Sequence, residues 1–178
     1  MVEITNNLTE IRIKIDEIDT KIINLIDERA KLVHRVGEIK CNTSEQIYIP
    51  KRENEIFERL SKESDIPYSV VKSIFTEIIS GCRRLERLLN VGILNDKNSL
   101  LALKKILGEW VNFVEFNSLD NLFTETQNFD YLLLKDSVKL QNYLKNSDSN
   151  IVNRTEIQGE LFYLIGKGVA HDKKNIKD

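Results

Sequence analysis

Three basic side chains recur along one predicted helix at spacings that could bind an anion. Arg29 interrupts an otherwise aliphatic helical seam, and Lys40 follows it by eleven residues, almost three full turns. Their Cα atoms are therefore ~16 Å apart on the same side of the helix. Long basic side chains at that separation could bracket a small carboxylate compound.

The third basic residue, Arg12, points to a second chain. It precedes Arg29 by seventeen residues, or ~25 Å along the helix, too far for both to hold one small ligand within one chain. If two such helices pack antiparallel, Arg12 of one chain can approach Arg29 of the other. The spacing therefore favours a dimer whose sites are shared between chains.

Further candidate residues follow in two shorter predicted helices. The segment "PKRENEI" places Arg52 and Glu53 just inside a helix N-terminus. On the next helix, Glu86 falls four residues after Cys82 on the stripe expected to be buried, where the small residues "SGC" would let another group approach closely. Cations and carboxylates without a nucleophile or metal-ligand cluster suit a small dicarboxylate and a reaction promoted by electrostatic stabilisation alone.

The same residues also have purely structural explanations. An isolated arginine on a helical seam commonly extends to solvent or pairs with a neighbouring acid, and a glutamate on an apolar stripe can pair with a nearby base. The available partners are Glu28 and Asp19 for Arg29, and Arg83 and Lys72 for Glu86. Cys82 could be a small core residue, because no histidine is placed to activate its thiol.

A long helix must carry the first three candidates. Heptad spacing of aliphatic residues runs from Leu8 to Ile39, which predicts a helix of about 35 residues, ~50 Å in length. A helix of this length with an apolar stripe needs partners along its whole length. Two shorter helices follow, and the only prolines of the chain, Pro50 and Pro67, stand at their predicted starts.

The pattern changes after residue 90. The segments "VGIL", "VNFVEF", "DYLLL" and "GELFYLI" are typical of short buried strands, with three amphipathic helical segments between them. We therefore predict an α + α/β protein with a helical domain at 1–90, a small Rossmann-like βαβαβ module at 91–166, and a flexible polar tail at 167–178.

Composition excludes several classes of protein. With 41% hydrophobic and 30% charged residues among 178, the chain suits a globular protein. Residues 1–90 carry 15 basic and 16 acidic side chains and the remainder 11 and 12, which argues against general nucleic-acid or membrane binding. Cys41 and Cys82 have no metal-binding or redox spacing, and the N-terminus has no signal-peptide pattern, so we expect a cytoplasmic protein.

The helical half resembles a known family. The segments "LTEIRIKIDEIDTKIINLIDERAKLVHRVGEIK", "IYIPKRENEIFERL" and "IFTEIISGCRRLE" are similar to the all-helical chorismate mutases over roughly residues 5–90. The resemblance implies an intertwined homodimer and an isomerase of phenylalanine and tyrosine biosynthesis. The family rearranges chorismate to prephenate by a [3,3] pericyclic step that needs no cofactor and no metal.

The family match also assigns roles to the basic residues of the first helix. Arg29, together with Arg12 of the partner subunit, would bind the two substrate carboxylates. Lys40 would contact the ether oxygen, where negative charge develops as the C–O bond breaks.

The shorter helices supply the remaining matched positions. Arg52 would order the carboxylate side of the site, and Glu53 would accept the ring hydroxyl. Cys82 occupies the position of a small polar residue that contacts a carboxylate, and Glu86 that of a Gln or Glu that donates to the ether oxygen. Glu86 can donate only when protonated. Ile49 replaces an Asp that the family often carries, which leaves more of the hydroxyl contact to Glu53.

The second half weakly resembles the start of a prephenate dehydrogenase nucleotide-binding domain. The stretch after "VGIL" is "NDKNSLL", however, which lacks the glycines that let a backbone approach a pyrophosphate. We expect the module to be a degenerate, truncated, non-catalytic relic, or else a regulatory or dimer-supporting domain of other descent.

Two other functions compete with an active mutase. One is a catalytically silent homologue that serves as a dimerising or regulatory subunit, for which Ile49 and the missing glycines argue. The other is a structural coiled-coil protein, which fits the heptads but not the charges at matching positions.

Overall fold

The computed structural model describes residues 2–40 and 48–167, with side chains from residue 7 onward and excluding that of Lys40. Most of the predicted tail at 167–178, and Cys41, lie outside the described residues. The chain divides into two compact units, Met1–Glu45 and Gln46–Asp178, which are described separately. The predicted domain boundary at residue 90 stays a prediction.

The first unit is built on one helix, α1 (Val2–Lys40), which confirms the long helix predicted from the heptads. Its 39 residues extend about 58 Å. The aliphatic side chains of the seam are between 47% and 72% exposed. They are Leu8, Ile11, Ile15, Ile18, Ile22, Leu25, Leu32, Val36 and Ile39. An apolar stripe of this length and exposure is larger than the scattered apolar groups of an ordinary protein surface.

The second unit begins with two packed helices. Helix α2 (Pro50–Lys62) has Pro50 as its first residue, and α3 (Tyr68–Glu86) has Pro67 at its N-cap. Both predicted helix starts are therefore confirmed. Proline is favoured at these positions because it lacks a backbone N–H, and the N–H groups of the first helical turn have no partner within the helix. The two helices pack against each other.

A mixed five-stranded sheet follows. Its strands are β1 (Asn90–Leu94), β2 (Asn112–Phe116), β3 (Tyr131–Lys135), β4 (Ser149–Ile157) and β5 (Glu160–Lys167), in the order β2-β1-β3-β5-β4. Helices α4 (Lys97–Leu107), α5 (Leu119–Thr124) and α6 (Val138–Asn146) alternate with them. The four predicted strands and three predicted helices are confirmed, and β4 was missed.

The sheet is only partly Rossmann-like. Strands β1, β2 and β3 are parallel, as the βαβαβ prediction requires. Strand β5 is antiparallel to both β3 and β4, so the module ends in a hairpin. Apolar clusters lie on both faces of β3: Tyr131 and Leu133 in one, Leu132 and Leu134 in the other. Burial on both faces accounts for the uninterrupted apolar run of this strand.

The turn after α4 packs closely against α3. Gly108 has φ +78°, and a Cβ placed there would lie 2.6 Å from the Cβ of Ser80. The backbone N–H of Trp110 donates to Ser80 Oγ at 3.1 Å, and the Trp110 ring lies 3.6 Å from where a Cβ on Gly81 would stand. The small residues of α3 that the sequence analysis singled out therefore accommodate this turn.

Candidate active site

Helix α1 carries the three basic candidates at the predicted positions. Arg12 is exposed, and Lys40 is the last residue of the helix. Arg29 is half-buried, and its Nη1 is buried with no hydrogen-bond partner in the described part of the chain. Within the same part no ion pair joins Arg29 to Glu28 or Asp19, so the structural explanation by a neighbouring acid is not supported. A buried guanidinium nitrogen of this kind is suited to an anionic ligand.

Helix α2 presents its two candidates in opposite surroundings. Arg52 is exposed, and its Nη1 lies 3.5 Å from Glu55 Oε2. The Glu53 side chain is only 13% exposed. Ile49 is the N-cap of the helix and offers no side-chain capping hydrogen bond, a position where the Asp common in the family could cap the first turn.

Glu53 is paired with a buried arginine of α3. Arg83 Nη2 lies 3.5 Å from Glu53 Oε1, and the Arg83 side chain is 8% exposed. The same nitrogen donates to the backbone carbonyl of Leu107 at 3.4 Å. Arg83 was one of two possible partners of Glu86 in the structural explanation; in the structure it pairs with Glu53 instead.

Helix α3 holds the last two candidates one turn apart. Cys82 is a free thiol that is 3% exposed, and Glu86 is half-buried at the end of the helix. Among residues 48–167, Glu86 forms no ion pair with Arg83 or Lys72. The burial of Cys82 agrees with its position on the inward stripe.

Sequence reasoning missed Tyr48, which is 1% exposed. The Arg83 guanidinium lies 5.2 Å from the centre of its ring, and Asn153 Nδ2 donates to its Oη at 2.5 Å. Burial raises the pKa of Tyr48 well above its ordinary value, and the negative charge of Glu53 adds to the rise. The signal that could have found this group is Arg83 itself, a second charge on the buried stripe of α3.

A polar cavity of about 150 Å³ adjoins Glu53. Its wall combines side chains of α2, α3, α4 and β4, among them Asn54, Lys72, Lys105 and Arg154. Residues 48–167 thus bring together the carboxylate predicted from α2 and polar groups from the sheet module.

At the N-terminus of α4, where the sequence lacks the glycines of a nucleotide-binding turn, an aspartate caps the helix. The Asp96 carboxylate caps the helix, accepting from the Ser99 backbone N–H at 2.8 Å and from Ser99 Oγ at 2.6 Å. A pyrophosphate would need these same donors. Within the described ranges, no group of three or more His, Cys, Asp or Glu side chains could hold a metal ion, and no helix is long and apolar enough to cross a membrane.

Comparisons with known proteins agree with the resemblance of the helical half. The family model described as chorismate mutase type II matches residues 11–87. The chorismate mutase of Methanocaldococcus jannaschii is 41% identical over 83 residues, which cover 45% of this chain and 84% of that protein.

Two larger relatives extend the similarity into the second half. A bifunctional chorismate mutase/prephenate dehydratase of Aquifex aeolicus is 37% identical over 134 residues, covering 70% of this chain and 37% of the relative. One from Pseudomonas aeruginosa is 26% identical over 186 residues, covering 94% of this chain and 51% of the relative. The chain therefore spans about half, or less, of the length of these bifunctional proteins. It belongs to the chorismate mutase type II family.

Proposed function

We propose that this protein is a chorismate mutase, an isomerase that converts chorismate to prephenate in aromatic amino acid biosynthesis without a cofactor. The observation that carries the proposal is that the family match at 11–87 contains every predicted site residue, from Arg12 to Glu86. Two cysteines without disulfide spacing support a cytoplasmic location for this activity.

The basic residues of α1 supply the electrostatic part of the mechanism. Arg29 and Arg12 of the partner subunit bind the two carboxylates of chorismate and hold its side chain near the ring. Lys40 stabilises the negative charge that develops on the ether oxygen as the C–O bond breaks. One preorganised donor to such an oxygen is worth about 3 kcal/mol of barrier.

The residues of α2 and α3 complete the proposed site. Glu53 accepts a hydrogen bond from the ring hydroxyl of chorismate, and Arg52 orders the side of the site that binds the substrate carboxylates. Cys82 contacts a carboxylate through its thiol. Glu86 donates to the ether oxygen in its protonated form, because an ionised carboxylate can only accept.

The exposed seam of α1 supports the proposal of a homodimer. A stripe of nine aliphatic side chains over 39 residues is far larger than the scattered apolar groups of a monomer surface. A second copy of the same helix, packed antiparallel, would cover it and bring Arg12 of one subunit toward Arg29 of the other. The active sites are then shared between chains.

The sheet module has a supporting role in this proposal. The match that covers 94% of the chain is to a chorismate mutase/prephenate dehydratase, which favours descent from the dehydratase part over the dehydrogenase resemblance. The aligned residues cover 51% of that relative. Asp96 fills the helix N-terminus that a dinucleotide would need, which argues against a dehydrogenase activity of the module.

The proposal is tested by following chorismate and identifying prephenate by NMR. Lys40→Ala is expected to lower kcat by about 10² to 10³, since it removes a donor to the developing charge. Lys31→Ala is the matched control, because Lys31 is an exposed lysine of the same helix that pairs with Asp27 at 2.6 Å. Equal rates for these two variants would contradict the proposed role of Lys40.

Shared sites are tested by mixing subunits. Arg12→Ala and Arg29→Ala homodimers should each be nearly inactive. A heterodimer of the two variants keeps one intact site, formed by Arg29 of the first and Arg12 of the second. Recovery of roughly half the wild-type activity per heterodimer supports sites shared between chains, and no recovery in a confirmed heterodimer contradicts them.

A further inference from the structure

Arg83 is a buried cation that the family match leaves without a role. It is 6% exposed on α3, and its Nη1 has no hydrogen-bond partner among residues 48–167. Its Nη2 is held by the Leu107 carbonyl at 3.4 Å and lies 3.5 Å from Glu53 Oε1. A buried guanidinium is costly to desolvate, so its position is set by the few groups that compensate it.

Two of the groups that surround the Arg83 guanidinium are connected to the sheet module: the Leu107 carbonyl and the Tyr48 ring. The Leu107 carbonyl is the last of α4, just before the Gly108 turn that packs on Ser80. The Tyr48 ring lies under the guanidinium at 5.2 Å, and Asn153 of β4 fixes the Tyr48 hydroxyl at 2.5 Å. The sheet module thus holds Arg83 through a backbone carbonyl and, through Tyr48, by a side-chain hydrogen bond.

We infer that Arg83 is a positioning residue for Glu53 and that the sheet module acts on the mutase site through it. The Arg83 guanidinium draws the Glu53 carboxylate to one orientation. The guanidinium is itself held by the Leu107 carbonyl and by the Tyr48 ring, whose hydroxyl is bonded to Asn153 of β4. Misplacing a catalytic contact by a fraction of an ångström can cost a large factor in rate. The inference rests on the proposed role of Glu53 as acceptor of the substrate's ring hydroxyl.

This arrangement gives the module a function that needs no second active site. Removing the Arg83 guanidinium should leave the Glu53 carboxylate without a fixed orientation, while the residues of α1 stay unchanged. The effect on turnover should therefore pass through Glu53 alone. A role limited to packing α3 against the module would instead lower stability and activity whatever residue stands at position 53.

A double-mutant cycle on the full chain separates these two roles. Arg83→Met is expected to lower kcat about tenfold with a smaller change in KM, a coupling within the range seen for contacting residues. In a Glu53→Gln background the same substitution should change kcat by less than about twofold, because the group it positions is already altered. Arg83→Lys keeps the charge but lacks the fork, and its kcat should lie between those of wild type and Arg83→Met.

Thermal unfolding of each variant identifies loss of folding, and Arg83→Lys supplies the cycle if Arg83→Met does not fold. Tyr48→Phe removes the hydroxyl that accepts a hydrogen bond from Asn153 of β4. This substitution should lower kcat in protein that has Glu53, but not in the Glu53→Gln background. If the double variant loses kcat by the product of the two single-variant losses, the two residues act independently and the inference is overturned. Wild-type protein that turns over chorismate in that experiment leaves the proposed function standing, whereas inactive wild type overturns the proposed function itself.

Discussion

Arg83 of α3 and Glu53 of α2 form an ion pair whose two side chains are 8% and 13% exposed. The pair joins the two short helices of the family fold and, through Leu107, the first helix of the sheet module. Its burial distinguishes it from the exposed Arg59–Glu63 pair of α2, in which both side chains are more than half exposed.

Burial predicts that breaking the inner pair is costly. Glu53→Ala leaves the Arg83 charge uncompensated and should lower the free energy of unfolding by about 3 kcal/mol. Glu63→Ala, which breaks the exposed pair, should cost less than about 1 kcal/mol. Urea denaturation of both variants measures the difference, and equal losses would contradict the burial of the inner pair.

Two glycines with nearly equal φ angles but different surroundings allow a test of the contact between α3 and the turn after α4. Gly108 and Gly159 have φ +78° and +79°, but only Gly108 faces another residue, with Ser80 in contact range. Gly159→Ala should cost about 1 kcal/mol from the left-handed backbone alone. Gly108→Ala adds overpacking and should cost about 3 kcal/mol. Similar losses in thermal unfolding would show that α3 does not pack on this turn.

The buried phenol of Tyr48 predicts sensitivity to alkaline pH. Burial raises its pKa in the folded state, so folding favours the neutral form. The stabilisation is complete below the unfolded pKa, about 10, and is lost as the pH rises above it. Tyr48→Phe should therefore flatten the decline of unfolding free energy above pH 10. A decline that is the same in Tyr48→Phe as in the wild type would contradict the prediction.

The α1 seam predicts how the proposed dimer can be dissociated. Ile18→Glu places a charge in the middle of the aliphatic seam and should convert the dimer to monomer or unfold α1. Asn24→Glu adds the same side chain outside the seam and should leave the dimer intact. Sedimentation equilibrium distinguishes the two, and a dimer that survives Ile18→Glu would mean that another surface joins the subunits.

Glu86 predicts a pH-dependent rate. The donor role proposed for it requires a protonated carboxyl, so we expect turnover to rise toward acidic pH. Glu86→Gln always carries a donor and should extend activity to neutral pH. The pH–rate profiles of both proteins check this, and a flat wild-type profile with no change in the variant would remove Glu86 from the mechanism.

Local patterns in the sequence were sufficient to predict most elements. The heptads from Leu8 to Ile39 predicted α1, and Pro50 and Pro67 located the starts of α2 and α3. Strand β4 was missed because it is a polar edge strand whose pairing shifts register between Ile151 and Asn153. An edge strand with one solvated face has a weak apolar signal.

The partners of the buried charges could not be predicted in the same way. Arg83 has several acids within reach along the chain, and only the packing of α2 on α3 selects Glu53. Asn153 reaches Tyr48 across 105 residues of sequence, a pairing that no local pattern encodes. The family resemblance supplied roles for the site residues, but it contained no information on how the sheet module contacts α3.

Arg29 is proposed to bind a carboxylate of chorismate in an active mutase. The most direct measurement follows chorismate loss by absorbance with purified wild-type protein beside Arg29→Ala, from acidic to neutral pH. We predict clear turnover by the wild type and a loss of at least about 10² in kcat/KM for Arg29→Ala, which retains its helical circular dichroism. No turnover by folded, dimeric wild type at any of these pH values would contradict the account and favour a catalytically silent homologue.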